Sequence, residues 1–590
     1  MARFGYLLLC LGLAGCVAQP PLRATARVDP LLALARVYGV VRYFHPSDSV
    51  ERVDWNRFLV FATQTMEGAS GERETAARLE SLFEPIVDGF RIVPEGSPIS
   101  RPPGNGPAVE WRHLGYGLEP SPHNEIFASW RTHREPPPGS EASEAYAELR
   151  EAAEKSVDAE PVLALTVMPG LVAQIPISLP DSAARVGEAQ QRRLDRLATT
   201  LRELKLPDEP VTRARAAADG IAAWNIARHF YPYWDVVRID WEGELGKWLA
   251  QVPRQQTRED LAESLRRLTA PMDDGHVRII DPKSTIVRRY LPISVRPAGN
   301  RWIVDATSIP ERIRAGDVVQ AIDGKPIDAW YAEQAARVSG SGQFKRWRVR
   351  GNFMAGPKDS VVRLVLSRGS DRIEEQVSYD RPSPIAPERP PSIAEIARGI
   401  YYVDVTRLTK AALDQSIEML ARARGIVFDL RGIPTSESIS IIPYWITGED
   451  TAKWMSLPLF DGPFGRWSRE WRTGWNEKRN GALSKPAKVL LTDGRLISHL
   501  ESLASYFPGQ SVGPIVGERT GGANGNSAVT TLPSGMQFYL TGMRVTRHDG
   551  SLLHVEGFKP DLEVVPTAEG LRAGRDEVLE RAVRLLDSGK

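Results

Sequence analysis

The chain has 590 residues, 75 Lys and Arg against 74 Asp and Glu, and a formal net charge of +1. That length exceeds one hydrophobic core and points to about three to five folded units. Near-neutral charge supplies no field to hold nucleic acid, and past the N-terminal segment no apolar run is long enough to cross a bilayer, so the composition is that of a soluble globular protein.

The first sixteen residues, MARFGYLLLCLGLAGC, place Arg3 ahead of an apolar stretch from Tyr6 to Ala14. This reads as a secretory signal over residues 1–15. Leu13-Ala14-Gly15-Cys16 resembles a bacterial lipobox, which implies cleavage before Cys16 and lipidation of that cysteine. Cys10 leaves with the signal, so Cys16 has no partner for a disulfide. Val17 follows it rather than Asp, and by resemblance to bacterial sorting rules that favours the outer membrane, facing the periplasm.

Two stretches then repeat. VRYFHPSDSVERVDW (41–55) and ARHFYPYWDVVRIDW (227–241) share Arg, Phe, Pro, Asp and Trp at positions 186 apart, and the match continues from Leu79 and Gly89 onto Leu265 and Gly275. Apolar residues at helical spacing predict two helical units of one design, 28–92 and 206–282. They differ at one informative place: VDGFRI ends the first and DDGHVRI the second, so Phe90 stands where His276 stands. A helical unit that folds with Phe there does not need His to fold. Between the units, 93–205 is rich in Pro and Gly, with alternating runs that predict a small β-rich insert and one helix in EASEAYAELREAAEK.

Residues 283–385 turn to strands: RWIVDA, DVVQAID, SVVRLVLS. IRAGDVVQAIDGKPI (313–327) resembles the core of a PDZ domain, with a tight Asp323-Gly324 hairpin. Such domains bind extended peptides by adding a strand to a sheet edge. No glycine-rich carboxylate loop accompanies the motif.

In 386–590, GIYYVDV, GIVFDLRG, KVLLTDG and SVGPIVGE read as strands, with helices in AALDQSIEMLARAR and after Ser498. Strand–helix alternation predicts parallel pairing with right-handed crossovers. Ser498 then lies at a helix N-terminus behind a parallel strand, where backbone donors face developing negative charge.

IVFDLRG, LTDGRLISHLES, IVGERTGGANG and VEGFKPDLEV, in that order and with DDGHVRI upstream, resemble the S41 peptidases, the tail-specific and tricorn-type serine proteases. The resemblance spans roughly 210–565. It implies an α+β multidomain fold with a ClpP/crotonase-like core and a PDZ-like domain, to which the repeat adds the duplicated helical units. It implies hydrolysis of peptide bonds in peptide or unfolded protein substrates, with no cofactor. It makes Ser498 the nucleophile. The loop Thr520–Gly525 holds no lysine, which excludes the family's Ser–Lys dyad at that position. The tricorn-type branch implies His276 as base and Glu556 as its orienting carboxylate. In that branch a second serine precedes the histidine; here the residue is Gly275, so the relay is altered, which leaves open whether Glu556 meets His276 directly, through water or not at all. His499, adjoining Ser498, and His554, two residues before Glu556, are rival bases. The backbone N–H groups of His499 and Thr435 are the implied oxyanion donors, although the turn Gly432-Ile433-Pro434-Thr435-Ser436 is bulkier than the family's glycine-rich one. The other reading is a peptide-binding lipoprotein that kept the fold and lost turnover. No metal-ligand spacing and no P-loop is present. Trp467, Trp471 and Trp475 are expected to be structural.

Overall fold

The computed structural model describes residues 29–119, 121–134, 144–154 and 160–588; Cys16 and the signal-like segment lie outside them. Among the described residues no helix is long and apolar enough to cross a membrane.

The first helical set comprises Pro30–Phe44, Trp55–Met66 and Gly71–Phe83, and the second Arg213–Phe230, Trp241–Gln251 and Arg258–Thr269. Asp54 and Asp240, at equivalent positions, cap the middle helix of each set by accepting the N–H of Arg57 and of Gly243. The sets face each other through corresponding residues, as across a two-fold axis. The Phe44 and Phe230 rings stack with centroids 6.1 Å apart. Gly39 abuts Asn225, its counterpart in the other set; a Cβ on Gly39 would lie 2.0 Å from Asn225 Oδ1.

The intervening segment does not close on itself. Arg91–Pro94, Val162–Met168 and Leu171–Pro176 form a small antiparallel sheet. Ala108–Leu114 and Ala128–Arg131 instead join Met455–Gly462 and Arg466–Thr473 of the C-terminal region in one sheet, with Leu114 opposite Leu459. The Asn124 side chain adds a further tie, accepting the Val529 N–H at 2.9 Å and donating to the Val529 carbonyl at 3.0 Å.

The middle region is an antiparallel sheet of Ile293–Ala298, Arg301–Thr307, Val318–Ile322, Val361–Arg368 and Asp371–Ser378, with its own apolar core. Asp323 and Gly324 both take positive φ, +47° and +79°, as the tight hairpin requires. The helix Gly342–Met354 lies along the Ile293–Ala298 edge. There Arg350 donates to the Val295 carbonyl and, at 2.7 Å, to Ser294 Oγ. A backbone acceptor that strand addition at this edge would use is already occupied.

In the last third, Ile400–Asp404, Gly425–Asp429, Ala487–Thr492, Ile515–Gly517 and Leu562–Glu563 pair in parallel, with Ile393–Ala397 antiparallel at the edge. Alternate residues serve opposite faces. Phe428 and Leu490 enter the main core, whereas Val427, Val489 and Leu491 pack on Val578, Ala582 and Leu586 of the terminal helix. Burial on both faces is what makes these strands near-continuously apolar.

Candidate active site

Ser498 stands between the strand Ala487–Thr492 and the helix His499–Gly509, with φ +56° and ψ −130°. A non-glycine residue in that region stores about 1–3 kcal/mol of strain and persists only where its surroundings fix it. Several contacts do so here. The Ser498 N–H donates to the Ala523 carbonyl at 2.6 Å, and the Ser498 carbonyl accepts the Ser502 N–H at 3.0 Å. Glu501, fully buried one turn along, accepts the N–H of Gly522 at 2.8 Å and of Ala523 at 2.9 Å, and the Thr520 hydroxyl. It thereby presses the loop 520–523 onto the serine turn. Burial pushes the Glu501 carboxyl up to about 7, against the lowering effect of those donors.

His276 lies far upstream of Ser498 in the sequence, in the turn that leads into a short strand. Arg278–Ile280 pairs antiparallel with Gln537–Thr541, Ile280 opposite Gln537 and Arg278 opposite Tyr539. Continuing that register by two residues brings His276 opposite Thr541. Its Nδ1 lies 2.9 Å from Thr541 Oγ1, which is itself 2.8 Å from Asp274 Oδ1. Asp274, fully buried, also accepts the N–H of His276 and of Thr541, each at 2.9 Å. Thr541 has one hydroxyl hydrogen and gives it to Asp274, so it receives Nδ1–H from the imidazole. The lone pair is then on Nε2, which is buried and has no hydrogen-bond partner. Burial lowers the His276 pKa, and the nearby Asp274 opposes that shift.

The segment 339–347 clamps the two halves together. Ser339 Oγ accepts the Asp274 N–H at 2.9 Å, and Ser341 Oγ donates to the Gly521 carbonyl at 2.6 Å. A Cβ on Gly275 would lie 2.9 Å from Ala523 Cβ and 3.3 Å from the Phe344 ring. Ala523 is thus the residue between them: its carbonyl takes the Ser498 N–H and its methyl faces Gly275. The same contact explains why glycine rather than serine precedes His276, because a side chain there meets Ala523.

The remaining expected residues are placed as follows. The His499 N–H is at the first helical position, which has no intrahelical acceptor. The His499 ring turns away to Ser438 Oγ, 3.1 Å from Nε2, and packs on Trp475. Ser438 Oγ donates to the Thr435 carbonyl at 2.7 Å, so the 432–436 turn is tied to the helix that begins at His499. Ile433, in that turn, is 89% exposed. The His554 ring stacks on Tyr233 with centroids 3.8 Å apart, its Nε2 is 2.7 Å from the Tyr231 hydroxyl, and burial brings its pKa down to about 4. Glu556 is not at the imidazole. Its carboxylate is half exposed and lies 3.5 Å from Arg547, while His276 Nδ1 contacts Thr541. Asp274 and Thr541 are absent from the sequence reading. Asp274 was visible within DDGHVRI; Thr541 depends on a strand register that no local motif encodes.

Residues 399–564 match the model of Peptidase family S41. No curated protein matches the chain in sequence. Among solved structures, mature CPAF is 12% identical with a TM-score of 0.51, the match covering 64% of this chain and 98% of that one. Mature CPAF complexed with lactacystin gives 12% identity and a TM-score of 0.50 over 64% of this chain and 99% of that one. The photosystem II D1 C-terminal processing protease is 19% identical with a TM-score of 0.36, over 61% of this chain and 97% of that one. At such identity the likeness to the two CPAF structures is one of fold. The matched family segment contains Ser498, Thr541 and Glu556, whereas Asp274 and His276 lie outside it.

Proposed function

We propose that this chain, an S41 family serine-type peptidase by its matched segment, is an active endopeptidase in which Ser498 is the nucleophile and His276 the general base. Peptides or unfolded proteins are its substrates. His276 Nε2 takes the hydroxyl proton as Ser498 Oγ bonds to the scissile carbonyl carbon, and returns it to the leaving amine as the C–N bond breaks. The N–H groups of His499 and of Thr435 receive the oxyanion at the start of the helix. One observation carries the reading: a buried imidazole nitrogen with no partner, on a turn that packs against the residue holding the Ser498 backbone. Lipidation at Cys16 and an outer-membrane, periplasm-facing location belong to the same proposal.

Glu556 turned toward Arg547 favours the second reading, a peptide-binding lipoprotein without turnover. A fluorophosphonate probe separates the two. Wild-type protein is expected to label covalently, and Ser498→Ala to lose the label. His276→Ala is expected to cut turnover by about three orders of magnitude or more. Folded wild-type protein that stays unlabelled would establish the binding module instead.

A further inference from the structure

We propose that Asp274, acting through the Thr541 hydroxyl, positions and polarises His276 in place of Glu556. The inference rests on His276 being the base. Its geometry is a chain of donors running one way: His276 Nδ1–H to Thr541 Oγ1 at 2.9 Å, and Thr541 O–H to Asp274 Oδ1 at 2.8 Å. Asp274 Oδ1 is 3.7 Å from Nδ1, close enough to stabilise the imidazolium that forms when Nε2 takes the serine proton. No proton leaves Thr541 or Asp274; the proton gained at Nε2 is the one later given to the amine, so the relay is unchanged after each bond-making step.

The backbone fixes the same arrangement twice. Asp274 accepts the N–H of both residues it serves, His276 and Thr541, so carboxylate, hydroxyl and ring are held by main chain as well as side chain. The hydroxyl that the tricorn-type pattern places just before the histidine cannot stand at Gly275, where a Cβ would be 2.9 Å from Ala523 Cβ. Thr541 supplies a hydroxyl from the facing strand. Glu556 is spent on Arg547. The charged and titratable groups facing the ring are Asp274, Arg278 and His554.

Thr541→Val keeps the shape and removes the hydroxyl; Thr541→Ser restores it. With a fluorogenic peptide, Thr541→Val is expected to lower kcat by about 10- to 100-fold with KM nearly unchanged, and Thr541→Ser to recover most of that loss. The acidic limb of the kcat/KM profile is expected to move to lower pH in Thr541→Val, because the imidazolium has lost an acceptor. Selective 15N-histidine NMR of the wild type is expected to show His276 protonated at Nδ1. An Nε2–H tautomer, or wild-type kinetics in Thr541→Val together with a large kcat loss in Glu556→Gln, overturns the proposal. Because the tautomer is read without turnover, an Nδ1–H tautomer in a protein that no probe labels would sink the peptidase reading and leave the positioning in place.

Discussion

Ser498 is held in backbone geometry that only glycine adopts freely. Ser498→Gly is therefore expected to raise unfolding stability by about 1 kcal/mol while removing the proposed nucleophile, and Ser498→Ala, which keeps the strain, to leave it within about 0.5 kcal/mol. Urea titrations of the three proteins check this; equal midpoints for the glycine variant and the wild type would mean the turn is unstrained. At this scale Ser498 and His276 stand out in the sequence because each belongs to a local motif. Whether Glu556 reaches His276 is open in the sequence, and its carboxylate lies 3.5 Å from Arg547. Glu556 sits between Val555 at φ +66° and Gly557 at φ +65°, a paired left-handed turn that sends its side chain to Arg547. No periodicity announces such a turn.

Among elements, the parallel strands were legible because each is an apolar run bounded by turn residues and followed by a helix. The duplicated helices were legible from residues repeated at one offset. How the two sets meet was not, since it depends on which faces are complementary rather than on either set alone. Gly39 is the tightest point of that meeting, with Asn225 Oδ1 and His229 Nε2 at 2.0 and 2.6 Å from a Cβ placed on it. Gly39→Ala is expected to destabilise the protein by about 1–3 kcal/mol through overpacking, despite the better helix propensity of alanine. A thermal melt at or above the wild-type midpoint would show that the helices separate at little cost.

For the molecule as a whole, sheets cross the boundaries that composition draws. Ala108–Leu114 pairs with Met455–Gly462, and Arg278–Ile280 with Gln537–Thr541. Pairings of such sequence separation leave no trace in local pattern, which is why residues 93–205 read as a self-contained insert. Deleting 95–205 is expected to strip one edge of Met455–Gly462 and yield aggregated protein. A monodisperse monomer on size-exclusion chromatography, with wild-type probe labelling, would instead make the segment dispensable.

The strand that follows His276 has three residues, and its partner, Gln537–Thr541, comes far downstream in the sequence, beyond Ser498. Until residue 541 has left the ribosome the imidazole has neither its hydroxyl neighbour nor its opposing strand. On the reading proposed above, the nascent polypeptide therefore carries both imidazole and serine alcohol for a time before they can work together, a safeguard written into the order of translation rather than into any removable inhibitor.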